Sequence, residues 1–183
     1  MCIRDRLRTH HQEFRIDPER IGAWGNSAGG HLALMLALTD ESVIPEADAP
    51  YAEQSSRVQC AVSDSGPIDL VHQFRHQQVH TVIEMFLGGP PEGERLALYK
   101  QASPGSYVAG DVPPLLLIYG AEDEQVGVET ADRFVEELRT AGAKDVSYLR
   151  LGTERHCPHS LLRVPWVAPA VDEFFVRTLL KRP

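Results

Sequence analysis

Short apolar runs alternate along the chain with longer segments whose apolar residues recur at helical spacing. Ile21-Gly22-Ala23-Trp24 has the pattern of a short buried strand and runs straight into Gly25-Asn26-Ser27-Ala28-Gly29-Gly30. His31 to Leu38 (HLALMLAL) follows at helical length and is apolar nearly all round, as a helix buried in the middle of a domain should be. Val58 to Ser63 (VQCAVS) is the next strand, ended by Asp64-Ser65-Gly66-Pro67. Leu115 to Tyr119 (LLLIY) is a continuous apolar run after Pro113-Pro114, suited to a parallel strand covered on both faces. Val146 to Leu151 (VSYLRL) alternates as a further strand.

Between these runs lie the helices. Leu7 to Phe14 reads as the end of one, stopped near Asp17-Pro18. Thr130 to Ala141 is amphipathic, with Ala131, Val135 and Leu138 on one stripe and Gly142 where a C-cap needs a left-handed residue. Pro165 opens a last helix with Val167, Val171, Phe174, Phe175 and Leu179 on one face. From Ile68 to about Tyr107 the pattern changes to helical pieces broken by Gly88-Gly89-Pro90-Pro91, a cap-like excursion out of the sheet. Strands that alternate with helices predict the α/β class: a mostly parallel sheet with helices on both faces.

Composition narrows the function classes. With 18 Lys+Arg against 26 Asp+Glu the net charge is −8, which argues against non-specific attraction to nucleic acid or anionic membranes. No apolar run approaches the roughly 18 residues of a membrane span. Cys2, Cys60 and Cys157 form no CxxC pair and no metal-ligand spacing. Met1-Cys2-Ile3-Arg4-Asp5-Arg6 resembles the translation of a transposase-adapter sequence used in shotgun DNA sequencing, so residues 1–6 are set aside and the domain is read as 7–183. On that reading the segment before Leu7 is missing, and the compartment has no legible signal.

The chemistry centres on Gly25-Asn26-Ser27-Ala28-Gly29, a G-x-S-x-G pentapeptide between a strand and a helix. Such a serine sits on a strained strand-to-helix turn, with its hydroxyl clear of the sheet. Gly25 and Gly29 are expected where side chains would collide. The backbone N–H of Ala28, opening the helix, points at a developing oxyanion with the helix dipole behind it. A serine hydroxyl needs a base, and the base an orienting acid. The acid should follow a late strand, where Glu122, Asp123 and Glu124 compete after Leu115–Tyr119. The base should follow the last strand, where His156 and His159 both qualify. His156, nearer the strand end, is preferred and His159 is the alternative. Cys157 is a bystander. This chemistry needs no metal and no cofactor. His72, His76 and His80, spaced by four, are expected on one solvated helix face rather than around a metal.

Asp17-Pro18-Glu19-Arg20-Ile21-Gly22 leading to Gly25-Asn26-Ser27-Ala28-Gly29-Gly30-His31-Leu32-Ala33 resembles the α/β-hydrolase esterases of the acetylxylan- and feruloyl-esterase-like branch, near the hormone-sensitive-lipase-like enzymes. Ser65-Gly66-Pro67-Ile68-Asp69-Leu70, Phe86-Leu87-Gly88-Gly89, Ala102-Ser103-Pro104, Pro113-Pro114-Leu115 and the G-x-x-D-x-x-V of Gly120 to Val126 extend the likeness from about Leu7 to the end. The resemblance implies the C-terminal part of an α/β-hydrolase fold, with Ser27, Asp123 and one of the two histidines as a triad. It implies small-molecule or polysaccharide ester substrates, acetyl or feruloyl esters foremost. Two departures stand out. Gly-Thr-Glu-Arg-His replaces the usual Gly-Ala-Gly-His-like turn at the base, and the early His-Gly-Gly-Gly-like oxyanion loop has no counterpart. The second departure predicts that these 183 residues alone are nearly inactive. An amidase of kynurenine-formamidase type and a non-catalytic binding domain on the same scaffold are the competing functions. Oligomeric state has no signature in the sequence.

Overall fold

The computed structural model of the chain describes residues 3–40, 43, 50–51, 54–55, 57–157 and 164–180. In chain order the described elements are α1 (Ile3–Thr9), α2 (His11–Phe14), β1 (Gly22–Asn26), α3 (Ala28–Leu38), β2 (Cys60–Asp64), α4 (Leu70–His76), α5 (His80–Leu87), α6 (Arg95–Gln101), a 3₁₀ turn (Pro104–Tyr107), β3 (Leu115–Gly120), α7 (Val128–Thr140), β4 (Val146–Leu151) and α8 (Val167–Leu179). The four strands are parallel and stand side by side in the order β1-β2-β3-β4.

The sheet is covered on both faces, and strand pleating sorts the core into two halves. Leu115, Leu117 and Tyr119 of β3 join Ala61 of β2 in a cluster with Leu34 of α3 and Phe134 and Leu138 of α7. Leu116 and Ile118 turn the other way, joining Cys60 and Val62 in a cluster with Val167, Val171 and Phe174 of α8. All residues of β2 and β3 are buried, as an apolar run without alternation predicts. β4 is only half-buried along most of its length, since it forms one edge of the described sheet.

Several boundaries differ from the sequence reading. The N-terminal helical pattern divides into α1 and α2, and Arg15 ends α2 in a left-handed conformation. Buried Arg8 ties α1 to the loops by donating to the Pro18 carbonyl at 3.2 Å and to the Ser55 and Arg57 carbonyls. α3 is not buried all round: Leu32 is 56% exposed, because the sheet covers only the flank that carries Ala33, Leu34 and Ala37. The last helix begins at Val167, two residues after Pro165. α7 ends as its sequence predicts. Gly142 takes φ 92, its N–H donates to the Arg139 carbonyl at 3.0 Å, and Ala143 N–H reaches back to Leu138 at 3.0 Å.

The residues between β2 and β3 pack around a small core of their own, built from Leu70, Ile83, Leu87 and Tyr99. Asp69 caps α4 by accepting the His72 N–H at 3.0 Å. Ser103 joins α4 to α6, its hydroxyl accepting Leu70 N–H at 2.9 Å and donating to the Tyr99 carbonyl at 2.7 Å. The expectation that His72, His76 and His80 share one helix face is overturned. α4 stops at Gln77, which is extended, so His80 starts the next helix while His72 and His76 keep their rings 4.7 Å apart. A carboxylate does approach this group, with Glu129 of α7 3.4 Å from His72 Nε2.

Candidate active site

Every candidate residue that the structure describes lies just beyond the C-terminal end of a sheet strand. In an open parallel sheet this edge is where ligands bind.

Ser27 stands between β1 and α3 at φ 49, ψ −119. A non-glycine residue held there stores about 1–3 kcal/mol of strain, so the surroundings must impose it. They do so from both sides, since Ser27 N–H donates to the Asp64 carbonyl at 2.8 Å and the Ser27 carbonyl accepts His31 N–H at 3.0 Å. A Cβ on Gly25 would lie 2.3 Å from the Gly29 carbonyl carbon, so strand and helix meet closely at this turn. Gly29 itself corrects the sequence reading: nothing lies within 4 Å of where its Cβ would be. The tight partner in the helix is Gly30, whose Cβ would stand 2.8 Å from Ser63 Oγ and 3.0 Å from the Gly25 carbonyl oxygen. Gly25→Ala is therefore expected to lower Tm by about 10 °C or more, with Gly29→Ala within about 2 °C of the parent. Equal shifts in a thermal melt would refute this account of the turn.

Ala28 is the first residue of α3, where backbone N–H groups have no partner within the helix. One turn on, His31 is buried and donates through Nε2 to the Ala102 carbonyl at 2.7 Å. Burial lowers its pKa and keeps it neutral, with the Ala102 contact opposing. The Ala102-Ser103-Pro104 motif is thus bound to α3 by a structural histidine.

The three acidic residues after β3 separate by burial. Glu122 and Glu124 are exposed, whereas the Asp123 side chain is fully shielded. Both Asp123 oxygens are engaged: Oδ1 accepts the N–H groups of Gln125 at 2.8 Å and Val126 at 2.9 Å, and Oδ2 faces His156 Nδ1 at 2.7 Å. Burial disfavours the charged imidazole, but the hydrogen bond and charge of Asp123, helped by the Cys157 thiol, raise the His156 pKa to about 10. His159, the alternative base, lies outside the described residues.

Sequence reasoning missed how the loop that carries His156 crosses the sheet. A Cβ on Gly120 would lie 2.2 Å from the Glu154 carbonyl oxygen and 2.4 Å from that of Arg155, so only glycine lets the loop pass over the end of β3. Glu122 N–H donates to the Glu154 carbonyl at 2.9 Å, tying the loop that carries Asp123 to the loop that carries His156. The first glycine of the G-x-x-D-x-x-V pattern was the available signal. An open groove of about 750 Å³ beside Asp123 is lined by Phe74, His76, His80, Gly127 and Glu129 among others. The described residues contain no cluster of three or more His, Cys, Asp or Glu side chains placed to hold a metal ion. No helix among them is long and apolar enough to cross a membrane.

Residues 5–138 match the BD-FAE family. The chain belongs to that family. Within BD-FAE and its relatives, the chain is 31% identical over 172 residues to the probable carboxylic ester hydrolase LipM of Mycobacterium tuberculosis, covering 92% of the chain and 39% of LipM. Esterase LipQ of the same organism is 31% identical over 171 residues, covering 92% of the chain and 40% of LipQ. The BD-FAE chain thus spans about two fifths of the length of these relatives. Among solved structures, an acetyl ester-xyloside bifunctional hydrolase from Caldicellulosiruptor lactoaceticus superposes with a TM-score of 0.77 at 26% identity, over 95% of the chain and 62% of that protein. A thermophilic esterase from Thermogutta terrifontis gives 0.72 at 25% identity, over 95% of the chain and 60% of its own. The four-stranded parallel sheet with helices on both faces belongs with these α/β-hydrolase esterases.

Proposed function

We propose that the BD-FAE chain carries the triad of a carboxylic-ester hydrolase, with Ser27 as nucleophile, His156 as base and Asp123 as orienting acid. The observation that carries the reading is the 2.7 Å contact between His156 Nδ1 and a buried Asp123 carboxylate, both at the sheet edge that presents Ser27. Ser27 Oγ attacks the acyl carbon while His156 Nε2 takes the hydroxyl proton. The Ala28 N–H donates to the oxyanion that forms. Collapse breaks the bond to the alcohol, which leaves with the proton from His156. Water then attacks the acyl-enzyme, gives its proton to His156, and frees the acid and Ser27. Asp123 holds Nδ1–H throughout and stabilises the imidazolium.

Acetyl or feruloyl esters of plant polysaccharide are the substrates proposed. Support comes from the motifs shared with that esterase branch and from the likeness to an acetyl ester-xyloside hydrolase. The test uses the full-length protein on p-nitrophenyl acetate, acetylated xylan, a feruloylated arabinoxylan and an aryl formamide. Ester turnover well above formamide turnover is expected. Faster cleavage of the formamide would make the protein an amidase, and no turnover of any of the four would leave a binding domain.

A further inference from the structure

The loop that leaves β2 holds a polar pair to which the triad assigns no task. Asp64 and Ser65 are both fully buried, and Ser65 adopts φ 53. The loop is clamped on either side of the Ser65 side chain. Ser65 N–H donates to the Ile118 carbonyl of β3 at 2.9 Å, and the buried Tyr119 hydroxyl donates to the Gly66 carbonyl at 2.6 Å. The Ser65 hydroxyl therefore has a fixed place. Its Oγ accepts the N–H of Cys157 at 3.0 Å and lies 3.4 Å from Asp64 Oδ1. A hydroxyl has a single proton, so a carboxylate that takes it leaves a lone pair aimed at the Cys157 N–H. Cys157 directly follows His156 and itself adopts φ 53, a conformation that needs outside support.

The same dipeptide also touches the nucleophile. The Asp64 carbonyl accepts Ser27 N–H at 2.8 Å, so Asp64-Ser65 holds the nucleophile's backbone with one oxygen and the base loop with another. We propose that Ser65 is a positioning residue for the base: its buried hydroxyl, turned by Asp64, holds the backbone behind His156 and registers the imidazole against the turn that carries Ser27. The assignment rests on Ser27 and His156 being nucleophile and base.

Ser65→Gly in the full-length protein removes the hydroxyl and suits the left-handed backbone, so the loop can keep its path. Ser65→Ala is the second variant and retains the Cβ. Both strand the Cys157 N–H without its acceptor. Expected for both is a kcat on p-nitrophenyl acetate lower by about tenfold to a hundredfold, with KM within about twofold of the parent. The low-field proton resonance of the His156–Asp123 hydrogen bond should broaden or vanish, a change that a general loss of stability would not single out. His156→Ala is measured alongside. If it is inactive while Ser65→Gly keeps the parent's kcat and resonance, or loses only in KM, the Ser65 assignment falls and the triad stands. If His156→Ala remains active, the base assignment falls and takes Ser65 with it.

Discussion

Ser27→Ala in the full-length protein is expected to lower kcat for an aryl ester by about 10⁶, with residual catalysis of about 10³–10⁴ over water from the oxyanion site and binding. A fluorophosphonate probe should label the parent at Ser27 and leave the variant unlabelled. The size of the loss follows from the serine's place. Its hydroxyl is held on a strand-to-helix turn at φ 49, and in the variant a water has to replace it from an unheld position. The strain of that turn gives a second readout. Ser27→Gly relieves the positive φ and should raise Tm by a few degrees while remaining as inactive as the alanine variant. A Ser27→Ala protein that retained more than about a hundredth of parent turnover would end the assignment.

Asp123→Asn is expected to cost about 10⁴ in kcat. The reason is the hydrogen-bond geometry around the carboxyl. Oδ1 accepts two backbone N–H groups, from Gln125 and Val126, so an asparagine places its carbonyl oxygen there and turns its NH₂ toward His156. Nδ1 must then accept, the ring proton moves to Nε2, and the imidazole cannot take a proton from Ser27. The same substitution removes the carboxylate whose hydrogen bond and charge, together with the Cys157 side chain, outweigh burial in raising the His156 pKa to about 10. In the parent, the acidic limb of the kcat/KM profile should lie above the ordinary imidazole value of about 6.5, and in the variant it should move to lower pH. Stability follows the same sign. A raised pKa favours the protonated fold, so that contribution is complete below about pH 6.5 and lost as pH rises toward 10 in the parent, and the variant lacks it. An unmoved acidic limb would refute the role given to Asp123.

Much of this was legible in the chain because the signals are local. A G-x-S-x-G between an apolar run and a helical run can be read without knowing the fold, since the turn it describes is closed by neighbouring residues. The run Leu115–Tyr119 announces a strand covered on both sides for the same reason, and all its residues are buried. Gly142 sits where its helix ends, because a Schellman motif is written within six residues.

Long-range contacts were not legible. Nothing in Glu122-Asp123-Glu124 by itself ranks the three; the parallel sheet does, by burying Asp123 against the loop that carries His156 and leaving its neighbours in water. Gly29 drew attention through its place in the motif, yet Gly30 faces the next strand, because a helix turns its side chains by about 100° per residue and only one of two adjacent glycines can point at the sheet. The spacing of His72, His76 and His80 suggested one helix, but Gln77 breaks it to bring its own side chain to α7, where Nε2 meets Glu129 at 2.7 Å and Oε1 accepts Gly127 N–H at 2.8 Å. The sequence by itself therefore determined the layer architecture and the strained serine turn. Only the tertiary structure decided which acid is buried, which glycine is crowded and that Ser65 reaches Cys157 across 92 positions, since each depends on strands far apart in the chain ending at one edge.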